Sequence, residues 1–155
     1  MNVLVLALGN ELMGDDAAGL VAAELLENKI REAGLSEKVD IVKTAKTGLY
    51  LIDYLDKKYD HIIFIDSIVG KNIGDLIKLD YRDFSKISSP SPHYSGIKEL
   101  LSTIEVMGLG KPHIDIYAIV IEEPKIGFGV SDKIKMSAEK LSQLLFEEIK
   151  RIVSK

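Results

Sequence analysis

Apolar positions along this chain switch between unbroken runs and helical stripes. Val3-Leu4-Val5-Leu6-Ala7-Leu8 is apolar without interruption. That pattern predicts a strand buried on both faces, as in the middle of a parallel sheet. Over Ala17–Ala33 the spacing becomes helical: Ala18, Ala22, Leu25, Leu26 and Ile30 share a face, and Gly34 stands where a C′ glycine ends a helix. Val39–Lys43 predicts a short strand and Gly48–Lys58 a weaker amphipathic helix through Leu49, Leu51, Ile52 and Leu55. His61–Val69 predicts a strand built on Ile62-Ile63-Phe64-Ile65, with Asp66 at the end of its core run.

Asp75–Leu79 predicts the next strand. A parallel crossover needs about a dozen residues or more, and Gly70–Gly74 is too short for one. This strand is therefore expected to run antiparallel to its predecessor, at a sheet edge. Ser85–Tyr94 is a Ser- and Pro-rich loop, Gly96–Met107 is helical, and Ile114–Ile121 is again continuously apolar. Ser131–Val153 closes with a helix whose face carries Ile134, Ala138, Leu141, Leu145 and Ile149. Strands alternating with helices imply a three-layer α/β/α sandwich. The expected sheet has five strands, mostly parallel, with one antiparallel edge strand. No repeat or linker interrupts the pattern, so residues 1–155 are expected to form one domain.

Composition narrows the function. A net charge of -4 argues against a nucleic-acid binder that works by neutralising phosphates. With no cysteine, disulfides, thiolate metal sites and cysteine nucleophiles are all excluded. The apolar start lacks a basic n-region and soon meets Asn10, Glu11 and two aspartates, unlike a signal peptide. No stretch approaches the ~20 apolar residues of a membrane span. A cytoplasmic protein with no membrane or nucleic-acid partner is expected.

The densest chemistry lies in Gly9-Asn10-Glu11-Leu12-Met13-Gly14-Asp15-Asp16, between the first strand and the first helix. In α/β folds ligands sit outside the carboxyl ends of strands, and helix-end N–H groups there commonly hold phosphate. The glycines have P-loop spacing, but Asp15-Asp16 stand where Lys-Ser/Thr is required. A carboxylate pair repels phosphate and attracts a cation. If the first and third strands are parallel neighbours, Asp16 and Asp66 emerge at the same sheet edge. The plainer alternatives are helix capping, for which Asp15 is the better placed of the pair, and loop hydrogen bonding by Asp66.

Of three histidines, His93 stands just before a helix start, in a loop stiffened by Pro90 and Pro92. A helix N-terminus favours its neutral, metal-binding form. His61 and His113 open strands and are expected at the opposite edge, structural or solvated. Asp16, Asp66 and His93 make an O,O,N donor set that suits Zn²⁺, Ni²⁺, Mn²⁺ or Fe²⁺ and leaves positions open. The site is expected at the surface, supporting no core. HExxH, GxGxxG and GxSxG do not occur.

These blocks resemble the hydrogenase maturation proteases, the endopeptidases of nickel-iron hydrogenase assembly. The likeness runs through Leu8-Gly9-Asn10, Leu12, Asp15, Asp16 and Gly19, then Ile65-Asp66-Ser67-Ile68 and Ser91-Pro92-His93. It closes with Val120-Ile121-Glu122-Glu123-Pro124, Gly127 and Ser131. Asp16, Asp66 and His93 fall where that family binds metal. The resemblance implies a peptidase that removes a C-terminal peptide from a hydrogenase large-subunit precursor after nickel insertion. The nickel would be substrate-borne and recognised by the two carboxylates and the histidine. The protease would be metal-free at rest and a monomer. Either a metal-bound water or a carboxylate base would then drive hydrolysis. Two differences stand out. Many members carry Glu in place of Asp16, and their Asp-Gly-Gly-Thr type turn is replaced by Lys43-Thr44-Ala45-Lys46-Thr47-Gly48, which bears on substrate recognition. The competing readings are a non-catalytic nickel- or precursor-binding module and a nucleotide-binding α/β domain.

Overall fold

The computed structural model describes residues 1–79 and 97–155. The expected Ser85–Tyr94 loop, with His93, lies outside the described residues. Among the described residues five strands form one sheet: β1 (Val3–Leu8), β2 (Val39–Thr44), β3 (His61–Val69), β4 (Leu76–Leu79) and β5 (His113–Ile121). Their spatial order is β2-β1-β3-β5-β4. The β1–β2, β1–β3 and β3–β5 pairs are parallel, and β4 pairs antiparallel with β5. Among the described residues three α-helices accompany the sheet: α1 (Ala18–Glu32), α2 (Ile97–Val106) and α3 (Asp132–Val153).

Strand alternation assigns the layers. Val3, Val5, Ala7, Ile63, Ile65, Ile119 and Ile121 pack with α1 and α3 in one apolar cluster. Leu4, Leu6, Leu8, Ile62, Phe64 and Ile116 face the other way and pack with Leu51, Tyr59 and Leu100 of α2. The result is the expected three-layer sandwich. α1 ends as its glycine requires. Leu35 N–H donates to Ile30 O (3.0 Å) and Gly34 N–H to Arg31 O (3.1 Å), the paired bonds of a Schellman stop. Leu35 then packs against the core beside Ile30.

β4 runs antiparallel to β3 at the sheet edge, as expected, and its hydrogen-bonded neighbour is β5. The short turn forces the chain to reverse yet does not force β3 and β4 to pair, and β5 enters between them. Two other local expectations need correction. Gly48–Lys58 is not an α-helix. Only Gly48–Tyr54 is helical, as a 3₁₀ segment. Its apolar residues need to bury little more than Leu51, and a short tight turn satisfies that without a full helical face. The stretch before α1 is likewise a 3₁₀ turn, Gly14–Ala17, so α1 begins one residue later than its pattern.

Candidate active site

The first loop is braced by its own backbone. Gly9 N–H donates to Thr44 O, Met13 N–H to Asn10 O, Asp16 N–H to Met13 O, and Gly14 N–H to Gly127 O. Leu12 N–H closes an Asx turn on Asn10 Oδ1 at 3.0 Å. Two glycines make this compact path possible. A Cβ on Gly9 would lie 2.6 Å from Asp16 O. One on Gly19 would lie 3.0 Å from both Leu8 O and Ile65 O, so α1 can press onto the ends of β1 and β3 only without a side chain there.

That geometry delivers Asp16 to the sheet edge. Its Oδ2 accepts from Asn10 N–H at 3.0 Å, and its Oδ1 accepts from the Ser67 hydroxyl at 2.9 Å. Asp66 Oδ1 accepts from Ser67 N–H at 2.7 Å. Ser67 therefore joins the two carboxylates, one through its side chain and one through its backbone. Asp66 and Ser67 are 0% exposed and Asp16 is 7% exposed. This corrects the expectation of a superficial site. Ionised groups so placed need fixed dipoles in exchange for lost water, which is what the amides of Asn10 and Ser67 and the Ser67 hydroxyl provide.

Asp66 does not end its strand. β3 continues to Val69, paired with β5 throughout, whereas the β1 ladder stops at Ala7 opposite Ile65. Asp66 is thus the first residue of β3 beyond the β1 ladder, and it stands at the notch left where β1 turns away. Alternation puts it on the Ile62 and Phe64 face and Ser67 on the Ile63 and Ile65 face, under α1. In the sequence Ser67 stands out only as part of the Ile65-Asp66-Ser67-Ile68 block. The available signal was its place after a strand aspartate, but nothing in spacing predicts a partner 51 residues away.

Asp15 is not the helix cap expected. No side chain caps the 3₁₀ turn or α1. Instead Asp15 accepts from Ser131 N–H (2.7 Å) and from the Ser131 hydroxyl (3.1 Å), and so ties the first loop to the residue that precedes α3. A bridge between Met13 and Gly127 reinforces the same tie. Beside the Asp16 loop lies a cleft of about 630 Å³ whose walls include Leu12, Leu20, Val21, Lys43, Phe128 and Val130. His61 and His113 are register partners at the start of β3 and β5, at the opposite edge as expected. Burial, followed by the neighbouring His113, lowers the His61 pKa from its ordinary value. His93 lies outside the described residues, so the third member of the expected donor set has no described position.

No protein-family model matches the chain. Its sequence is 29% identical over 133 residues to the Hydrogenase 2 maturation protease of Escherichia coli, which takes in 82% of this chain and 79% of that one. The hydrogenase expression/formation protein HupD of Bradyrhizobium diazoefficiens is 32% identical over 117 residues, 72% of this chain and 58% of its own length. Among solved structures, the NiFe hydrogenase maturation protease HybD from Thermococcus kodakarensis superposes with a TM-score of 0.74 at 29% identity, covering 95% of this chain and 98% of that one. Two of these relatives are named as proteases, and the chain is a peptidase of their kind. In sequence and fold the chain is similar to the hydrogenase maturation proteases.

Proposed function

We propose that this chain removes the C-terminal extension of a nickel-iron hydrogenase large-subunit precursor once nickel has been inserted. In this reading the nickel arrives with the precursor as part of the substrate, and Asp16, Asp66 and His93 recognise it. The observation that carries the reading is the buried carboxylate pair joined by Ser67 at the carboxyl edge of β1 and β3. His93 precedes α2 in the chain, and α2 packs on the sheet face that Asp66 shares. The donor set leaves coordination positions for ligands the precursor itself supplies.

Hydrolysis adds water across the scissile amide. A carboxylate of the pair takes a proton as the water oxygen bonds to the carbonyl carbon, and returns it to the departing amine nitrogen. Leu12, Ile126 and Phe128 are more than half exposed. They flank the Met13–Gly127 bridge, and Leu12 and Phe128 line the cleft, an apolar surface suited to a protein substrate. We assign the cleft to the precursor segment next to the cut. The protease acts as a monomer in this scheme.

A nucleotide-binding reading is disfavoured by the loop's hydrogen bonds. The amides of Asn10, Leu12, Met13, Gly14 and Asp16 already have acceptors within the protein, so they are not aimed at a phosphate. The deciding experiment mixes the protein with nickel-loaded and nickel-free precursor and follows precursor mass. Loss of the extension from the loaded form alone is expected, and prior chelator treatment of the protease should change little. Binding without any mass loss would mark a non-catalytic module. Equal cutting of both forms would overturn nickel recognition.

A further inference from the structure

We propose that His61, His113 and Asp115 form a second cation site, at the amino edge of the sheet, for a divalent transition-metal ion of the zinc and nickel kind. One ligand atom from each of these side chains lies within 4.8 Å of the other two. The set is built by the strands. His61 and His113 face each other across the parallel β3–β5 register, with ring centroids 5.0 Å apart. Asp115 is two residues beyond His113 and so shares its face of β5. Its Oδ1 lies 3.3 Å from His113 Nε2. Two ligands bonded to a tetrahedral ion at about 2.0–2.1 Å are themselves about 3.4 Å apart, so this pair already has chelate spacing.

A second observation points to a missing ligand. His61 Nδ1 is buried and has no hydrogen-bond partner among the described residues. Buried polar atoms of this kind are rare and call for an explanation such as an ion or water. Two imidazoles and one carboxylate suit zinc, nickel or cobalt and leave further positions for water. Asp115 is 7% exposed, which limits competition from solvent.

The plain alternative is also on the molecule. Lys78 Nζ sits 3.4 Å from the same Asp115 Oδ1 and neutralises it. Its side chain is 56% exposed, so it can turn out into solvent as an ion enters. The ion would replace the lysine and clamp the first residues of the two central strands. Asp66 lies five residues along β3 from His61, roughly 17 Å away at strand rise, so this site is separate from the carboxylate pair.

The test measures Zn²⁺ binding by calorimetry and the melting temperature against Zn²⁺ concentration, with Co²⁺ as a visible-absorption probe. A ligand of the folded state alone raises the melting temperature as its concentration rises. His113 is largely exposed, so His113→Ala should fold normally. Losing an outer-shell partner of a metal costs about 10–100-fold in affinity. Losing this inner ligand should cost at least as much and should abolish the Co²⁺ bands. Lys78→Ala should tighten binding by removing the competing cation. His93→Ala and the Asp16→Asn/Asp66→Asn double variant should keep the bands. Bands that survive His113→Ala but disappear in the double variant would put the ion at the other edge and overturn the proposal. So would the lack of any melting shift at millimolar Zn²⁺.

Discussion

The Ser67 hydroxyl donates to Asp16 Oδ1 across 2.9 Å, from a position 51 residues further along the chain. Because Ser67 N–H also serves Asp66 at 2.7 Å, one residue sets the spacing of both carboxylates. Ser67→Ala should leave Asp66 served by the backbone but remove the hydroxyl's bond to Asp16. Cleavage of nickel-loaded precursor should fall, and urea unfolding should show a loss of about 1 kcal/mol, the usual net contribution of one hydrogen bond. Unchanged cleavage would mean that Asp16 needs no positioning.

Burial changes how the aspartates should be tested. An alanine at either position strands donors that now have partners, so folding and chemistry would fail together. Asp16→Asn and Asp66→Asn keep the shape and remove the charge. Both variants should retain a cooperative melt and lose precursor processing, read by mass. Processing at the wild-type rate by either variant would remove that carboxylate from the reaction.

Asp15 and Ser131 form a separable pair. Asp15→Ala removes both acceptors from Ser131 and should destabilise by about 1 kcal/mol, as losing a side-chain partner near a helix start does. A double-mutant cycle with Ser131→Ala isolates the coupling. Strict additivity would show that the tie contributes nothing.

Gly9 and Gly19 should tolerate no side chain. Gly9→Ala drives a Cβ to within 2.6 Å of Asp16 O, a backbone atom that cannot swing aside. Overpacking of this kind costs about 1–3 kcal/mol, and the shift moves Asp16. Processing should therefore drop more in Gly9→Ala than in Gly19→Ala, whose clash is with Leu8 O and Ile65 O. The comparison needs both melting curves and processing rates.

Tyr59 predicts an alkaline weakness away from the site. Its hydroxyl donates to Asp40 Oδ2 at 2.6 Å, and burial first, then that bond and the charges of Asp40 and Asp56, push its pKa upward. The folded protein then holds the phenol proton more tightly than the unfolded chain. The associated stability is complete below the unfolded value near 10 and declines as pH rises through it toward the folded value. Urea unfolding at pH 9 and 11 should show a smaller decline in Tyr59→Phe than in the wild type.

Periodicity alone carries far in this chain because each strand of the sheet's centre is covered on both faces. Val3–Leu8 and the Ile62–Ile65 run have no polar side to confuse with a helix, and α1 and α3 repeat their apolar positions over several turns. The same local patterns located Asp66 directly after an apolar run and Asp16 in the loop that follows one, although β3 itself continues past Asp66 to Val69. Tertiary structure decided everything that depends on a distant partner. Which strand lies beside β4 is settled by β5, which enters from the far end of the chain. Whether Asp15 caps its own helix is settled by Ser131, and how Asp16 is held is settled by Ser67. Hydrophobic spacing records which face of an element is buried. It carries no record of which remote donor reaches a given oxygen, because one hydrogen bond imposes no period on the sequence.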